Sequence, residues 1–112
     1  MGIEEHQEGK VIRIKILEKR LDARAADSLK DKMMELIEAG NTRIALDISE
    51  VQFVDSSGLG AIVSALKLMG GNGDLAIGGV RDTVLSMFKL TSMDRVFRIF
   101  RRADEAVAAL AQ

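Results

Sequence analysis

Hydrophobic and polar positions follow two different periods along this chain, and the changes between them divide it into strands and helices. Residues 12–16 alternate between isoleucine and a basic side chain, which predicts a strand with one buried face. Over 25–39, apolar side chains recur every three or four positions and Gly40 follows, as expected for a helix packed on one side. Alternation returns over 43–48 and predicts a second strand.

The same succession continues through the second half of the chain. The pattern predicts a helix over 59–69, a strand over 75–77, a short helix around Val84, Met87 and Phe88, a strand over 96–100, and a helix over 104–111. Glycine pairs and an Asn-Gly turn separate these segments. Repeated strand–helix units indicate the α/β class, with a mixed, mostly parallel sheet of four to five strands and about four helices.

Two features of the predicted sheet concern what covers its faces. The alternation over 12–16 predicts that the sheet is open to water on one side there. Ala45 points away from the isoleucines of its own strand and is small enough to lie under a helix or another chain. The polar residues 1–9 are expected to form a frayed end or a weak edge strand. With 112 residues, the chain fits one domain that spans 1–112.

The most informative stretch is Asp55-Ser56-Ser57-Gly58, which lies between a strand end and the second predicted helix. A serine at a helix N-terminus can cap the helix, act as a nucleophile, or accept a phosphate group. Capping contributes roughly 1 kcal/mol and needs one polar side chain, whereas three stand here in a row. Gly58 and Gly60 each cost a helix up to about 1 kcal/mol relative to alanine. Their missing side chains would let another backbone approach closely.

Catalysis at these serines would require a base, and the sequence offers no suitable one. The single histidine, His6, lies in the polar N-terminal segment, and neither Ser56 nor Ser57 is framed as Gly-x-Ser-x-Gly. A chain with no cysteine and one histidine lacks the usual ligands of a metal centre. The glycines from Gly70 to Gly79 fit a helix stop, a turn and a strand end, and not a phosphate-binding loop. We therefore expect no enzyme activity, cofactor or metal.

Charge and composition narrow the possible partners and the compartment. A net charge of −1 gives no electrostatic footprint for nucleic acid or an anionic membrane. The cluster Arg95, Arg98, Arg101 and Arg102 is interpreted as the polar side of a strand and the loop after it. We expect no signal peptide, since the first residues lack an apolar run behind basic ones, and no stretch approaches the roughly 18 apolar residues that span a bilayer. Without cysteine, it suits a reducing cytoplasm, where we expect it to act.

The stretch from Phe53 to Gly60, preceded by residues 44–48 (Ile-Ala-Leu-Asp-Ile), closely resembles the signature of the STAS family. Further matches are Leu21-Asp22-Ala23 before the first helix, the segment from Gly70 to Ile77, and Val96-Phe97. Within this family, the chain is most similar to the anti-sigma factor antagonists of bacterial partner-switching systems. The resemblance covers nearly the whole chain and implies a STAS-type domain that regulates transcription through protein partners.

The resemblance also implies roles for individual residues. Ser56 corresponds to the serine that is phosphorylated by the anti-sigma factor, itself a serine kinase, and a PP2C-type phosphatase removes that phosphate. The unphosphorylated antagonist binds the kinase and frees the sigma factor. Asp22 and Asp55 would flank the site that the partner reads. The expected contact rim consists of Ser57, Gly58 and Leu59.

The chemistry of the motif agrees with this implied role. A phosphate on Ser56 would sit at a helix N-terminus, where the dipole and free N–H groups favour negative charge. It would add a charge of roughly −1.5 to −2 beside Asp55, on a contact surface fitted to a neutral hydroxyl. Repulsion and desolvation could then release the partner while the fold persists. The segment Glu18-Lys19-Arg20, where many family members have glycine, departs from the pattern and bears on partner choice.

A second hypothesis is a STAS scaffold, or an accessory subunit of a transport complex, in which Ser56 is never phosphorylated and only caps the helix. The partners of such a protein would bind with the same affinity whether or not position 56 carried a charge. The sequence does not assign an oligomeric state. Four large apolar side chains can belong to the core or to an interface, with the core favoured; they are Met33, Met34, Met87 and Phe88.

Overall fold

A computed structural model describes residues 2–112, and in it a five-stranded sheet lies between helices on both faces. The strands are β1 (Ile3–Glu8), β2 (Val11–Ile16), β3 (Arg20–Leu21), β4 (Arg43–Asp47), β5 (Phe53–Val54), β6 (Asp74–Gly78) and β7 (Arg98–Ile99). The helices are α1 (Ala23–Glu38), α2 (Ser56–Met69), α3 (Asp82–Leu90) and α4 (Ala103–Leu110). Short 3₁₀ turns occupy Gly70–Asn72 and Met93–Arg95.

The main sheet has the order β1-β2-β4-β6-β7, and only its β1–β2 pair is antiparallel. This arrangement confirms the predicted α/β class, the mostly parallel sheet and the four helices. The N-terminal segment forms an edge strand, because β1 pairs with β2 over its full length, from Ile3 opposite Ile16 to Glu8 opposite Val11. Strands β3 and β5 form a separate two-stranded parallel sheet.

The two faces of the main sheet are covered unequally. The isoleucines of β2 belong to the larger core, which they share with α1, α2 and α3. On the other face, Val11, Ala45 and Ala76 pack against Ala106 and Leu110 of α4. The prediction that this face is open to water beside β2 is therefore wrong at its Val11 end. Ala45 lies under a helix, which is one of the two alternatives that its small size suggested.

The four large apolar residues that the sequence left between core and interface divide between the core and the surface. Met33 and Phe88 are fully buried, Met87 packs at the edge of the core, and Met34 is 48% exposed. Phe88 contacts Phe97 edge to face, with ring centroids 6.0 Å apart. The last strand is shorter than the predicted 96–100. Backbone N–H groups of residues 96 and 97 turn back to the carbonyl of residue 93, so extended backbone starts only at Arg98.

An ion pair between the buried Asp47 and the half-buried Arg13 fixes the loop that follows β4. The Asp47 side chain is 1% exposed, and its Oδ2 accepts a hydrogen bond from Nη2 of Arg13 at 2.8 Å. Its Oδ1 accepts the backbone N–H of Ser49 at 3.0 Å. Burial alone would raise the pKa of Asp47, but the bonds from Ser49 and Arg13 outweigh it and hold the pKa below its usual range. Asp47 thus anchors the start of the loop that leads to β5.

Candidate functional site

The small β3–β5 sheet places the first turns of α1 and α2 side by side. Its two strands align Arg20 with Phe53 and Leu21 with Val54, and the N–H of Asp55 donates to the carbonyl of Leu21 at 3.2 Å. Each strand is followed at once by an aspartate that caps a helix. The two helix N-termini therefore start side by side from one hydrogen-bonded frame, the β3–β5 sheet.

The capping role in the Asp-Ser-Ser-Gly motif belongs to the aspartate. Oδ1 of Asp55 accepts the backbone N–H of Gly58 at 2.9 Å, and α2 begins at Ser56. Asp22 caps α1 in the same way, accepting the N–H of Ala25 at 3.2 Å. The interval from cap to donor is three residues in both helices, which is the usual N-cap geometry.

Both serines of the motif are exposed in the first turn of α2. Among the hydrogen bonds of residues 2–112, none involves the hydroxyl of Ser56 or Ser57. Because Asp55 already satisfies the N–H of Gly58, neither serine is needed as a cap. The Ser56 hydroxyl is accordingly accessible and chemically uncommitted, at a position where the helix dipole favours an added negative charge.

Gly58 is buried, and its role is internal. A Cβ at this position would collide with the carbonyl oxygen of Leu21 and lie 2.8 Å from Cγ of that residue. The expected close approach of another backbone therefore occurs, and the backbone belongs to β3 of the same chain. Gly60 is different, because a Cβ there would meet nothing within 4 Å. Of the expected contact rim, Ser57 is exposed, Leu59 is half-buried, and Gly58 lies beneath the surface.

An apolar groove of about 350 Å³ opens directly beside Ser56. We call it the Ser56 groove; its lining residues are Phe53, Val54, Asp55, Ser56, Leu59, Met87 and Thr91. Phe53 is 41% exposed at its rim, and the guanidinium carbon of Arg20 lies 4.6 Å from the centre of the Phe53 ring. The sequence analysis did not assign Phe53, Met87 or Thr91 to the site. Met87 and Thr91 come from α3 and its end, which no local spacing connects to Ser56.

The residues considered for other chemistry lie elsewhere. His6 is in β1, where its register partner is Arg13 and its Nε2 lies 3.6 Å from Oε1 of Glu4. Across the described part of the chain, no three histidine, cysteine or carboxylate side chains converge as a metal ion would require. No helix between residues 2 and 112 has both the length and the apolar character needed to cross a bilayer.

Comparisons with known proteins place this geometry in a family. A model of the STAS domain matches residues 3–106. The anti-sigma F factor antagonist of Paenibacillus polymyxa is 33% identical over 110 residues, which cover 96% of this chain and 90% of that protein. Two Thermotoga relatives, 32% and 31% identical, are matched over 66% of their own length.

Solved structures share the fold at lower identity. An anti-sigma factor antagonist from Mycobacterium paratuberculosis superposes with a TM-score of 0.90 at 17% identity, covering 99% of this chain and 94% of that one. The phosphorylated form of the Bacillus cell-fate determinant SpoIIAA gives a TM-score of 0.73 at 18% identity, covering 96% and 98%. At such identities the likeness concerns the fold alone.

Proposed function

The chain belongs to the STAS-domain family and is related within it to anti-sigma factor antagonists, and on this premise we propose that it is a phosphorylation-controlled binding switch. With Ser56 unmodified, it binds an anti-sigma factor that is a serine kinase, and so frees the factor which that kinase holds. Phosphorylation of Ser56 releases the kinase, and a PP2C-type phosphatase resets the switch. The protein acts in the cytoplasm and is itself no enzyme.

The observation that carries this proposal is the division of labour between Asp55 and Ser56. Asp55 caps α2, while the Ser56 hydroxyl remains exposed at the first helical position. A phosphate there displaces no hydrogen bond among the described residues, and the helix N-terminus favours its charge. Modification is therefore compatible with an intact fold. The same observation argues against the alternative in which Ser56 only caps the helix.

The surroundings of Ser56 explain how a phosphate would act on binding. Ser56 lines the apolar groove together with Phe53, Leu59 and Met87. A partner that covers this groove would bring apolar surface against the phosphate, whose charge of roughly −1.5 to −2 is costly to desolvate. Asp55 adds repulsion from the protein side. The switch thus works through the contact surface and requires no change in the fold.

The proposal is tested by recovery of partners from the native cytoplasm with matched variants. Wild type is expected to recover an ATP-dependent serine kinase and to carry phosphate on Ser56. Ser56→Asp is expected to lose that kinase, and Ser56→Ala to retain it without being modified. Ser57→Ala is the control and should still be phosphorylated on Ser56. An unmodified Ser56, with the same partners for wild type and Ser56→Asp, would instead support a fixed scaffold or transport accessory.

A further inference from the structure

We infer that Arg20, stacked on Phe53, selects the kinase partner by binding a carboxylate of the segment that fills the Ser56 groove. The occupant is thus a kinase segment that carries an acidic side chain next to a large apolar one. This inference rests on the proposed function, because the kinase is taken to be the protein that covers Ser56. It adds the chemical character of the docking segment and the residue that recognises it.

The apolar half of the surface extends beyond the groove itself. Leu90, the last residue of α3, is 88% exposed, which is the largest exposure among the bulky apolar side chains of the described residues. It follows Met87 by three positions, so both lie on neighbouring parts of the same helix face. The next turn is held by Ser92, whose φ of 61° is the only positive value among the described non-glycine residues. Such strain is often found at functional sites.

Arg20 supplies the polar half. Its guanidinium stacks on the exposed ring of Phe53, which leaves the N–H groups at its edge free for a planar, bidentate partner such as a carboxylate. Within residues 2–112, no hydrogen bond or ion pair engages the Arg20 side chain. By contrast, Arg13 and Arg102 are each paired with an aspartate at 2.8 Å or less.

Arg20 also joins the groove to a second depression. A polar pocket of about 480 Å³ is lined by Leu17, Glu18, Lys19, Arg20, Asp22, Arg24 and Ala25. The Arg20–Phe53 pair thus connects this polar pocket to the apolar groove beside Ser56. Of the acidic residues that line the pocket or the groove, Asp22 and Asp55 each accept a backbone N–H at a helix start, and no ion pair joins Glu18 to Arg20 among the described residues. A partner carboxylate is therefore the missing counterpart of Arg20.

The position of Arg20 makes it a determinant of specificity. It lies in the segment Glu18-Lys19-Arg20, where the sequence departs from the family pattern. Glycine there would supply neither a planar group to stack on Phe53 nor a cation to bind a carboxylate. Lysine would keep the charge but lose the planar stacking and the bidentate geometry. We therefore expect Arg20→Lys to bind the kinase more weakly than wild type and more tightly than Arg20→Glu.

The test measures the affinity of the kinase that phosphorylates Ser56, using chains in which Ser56→Ala prevents turnover. Arg20→Glu should weaken binding by about 30-fold, as for a buried arginine hot spot, and Leu90→Ser by about tenfold. The controls are Lys10→Glu, an exposed cation in the turn before β2, and Met34→Ser, an exposed apolar residue of α1. Both controls should remain within about twofold of the parent, as expected outside an interface.

A charge swap identifies the counterpart. Cross-linking locates the kinase carboxylate that lies against Arg20, and replacing that residue by arginine should restore binding to Arg20→Glu while weakening binding to the parent chain. Equal affinities for Arg20→Glu and Lys10→Glu would overturn the inference but leave the switch at Ser56 intact. Failure to find any kinase that phosphorylates Ser56 would overturn the proposed function and this inference together. Self-association that depends on Arg20 and Leu90, without an effect on the kinase, would also contradict the inference.

Discussion

The starts of α1 and α2 are built on the same plan and differ in chemistry. Each follows a two-residue strand of the β3–β5 sheet, and each is capped by an aspartate that binds the N–H three residues later. After Asp22 come Ala-Arg-Ala, whereas Ser-Ser-Gly follow Asp55. Because the β3–β5 sheet and the aspartate caps are common to both helix starts, they serve to hold the two helices in place. What differs is an exposed hydroxyl on one helix, so the frame presents Ser56 and does not depend on it.

The largest loss of stability is expected at Asp47, an anchor that precedes only the start of α2. Asp47 holds the loop before β5 through Ser49, and removing its carboxylate would leave the partly buried Arg13 with only the longer contact to Glu8 at 3.6 Å. Asp47→Ala should lower the free energy of unfolding by about 3 kcal/mol, because it removes two hydrogen bonds to a buried carboxylate, each worth roughly 1.5 kcal/mol. Urea denaturation measures this change. A loss below about 1 kcal/mol would mean that the loop is fixed in another way.

The carboxylate of Asp47 should also make the free energy of unfolding depend on pH. Its folded pKa is lowered, so its contribution is fully present above the unfolded value of about 4 and is lost as the pH falls through the folded value. In that range the unfolded state binds more protons than the native state, and stability therefore decreases towards low pH. Urea midpoints between pH 6 and pH 3 should fall more steeply for wild type than for Asp47→Asn. Parallel slopes would contradict the assignment.

The third position after each capping aspartate gives the next comparison. Ala25 and Gly58 both donate to a capping aspartate, but only Gly58 packs against the Leu21 carbonyl. Gly58→Ala should destabilise the fold by about 2 kcal/mol through overpacking, although alanine is the better helix former. Ala25→Gly, the converse change, should cost about 1 kcal/mol. Thermal or urea unfolding of both variants checks this, and a stabilised Gly58→Ala would contradict the observed packing.

The two capping aspartates should contribute equally to the stability of the fold and unequally to binding of the kinase. Asp22→Ala and Asp55→Ala should each cost about 1 kcal/mol, because each removes one hydrogen bond to a helix N–H. Binding of the kinase should suffer more in Asp55→Ala, since Asp55 lines the Ser56 groove and Asp22 does not. Unfolding and affinity are measured on the same samples. Equal losses of affinity would show that the partner reads both helix starts alike.

The smallest effect on stability is expected at the site of greatest functional effect. Ser56→Asp places a charge at the first position of α2 without displacing any hydrogen bond of the described residues. Its free energy of unfolding should stay within about 0.5 kcal/mol of wild type, with the helix dipole favouring the change. Chemical denaturation gives this value directly. A large destabilisation would mean that loss of binding by this variant reflects unfolding.

Much of the fold was predictable because the local spacing of apolar residues indicates its longer strands and helices. The alternation over 12–16 and 43–48 and the helical spacing over 25–39 identify elements that are long enough to show a pattern. Strands β3 and β5 contain two residues each, so they have no period, and their pairing depends on residues 33 positions apart. The packing of α4 over Val11 also escaped prediction, since one valine in an alternating strand does not reveal what covers it.

The residues of the candidate site also fall into those that local sequence predicts and those that depend on distant parts of the chain. Asp22, Asp55 and Ser56 follow from the motif and from the chemistry of helix starts, which are local. The burial of Gly58 depends on Leu21, and the groove depends on Met87 and Thr91 of a helix far along the chain. Arg20 could be noticed in the sequence as a departure from a family pattern. Its place over Phe53 required the register of the β3–β5 sheet.

The central claim is that phosphate on Ser56 changes the contact surface and leaves the fold intact. The most direct measurement is the affinity of the kinase for the unmodified chain and for the chain phosphorylated on Ser56, alongside the unfolding free energy of both. We expect phosphorylation to weaken binding by about 30-fold or more while stability stays within about 0.5 kcal/mol. Equal affinities of two equally folded forms would contradict the claim and leave Ser56 as an exposed serine without a switching role.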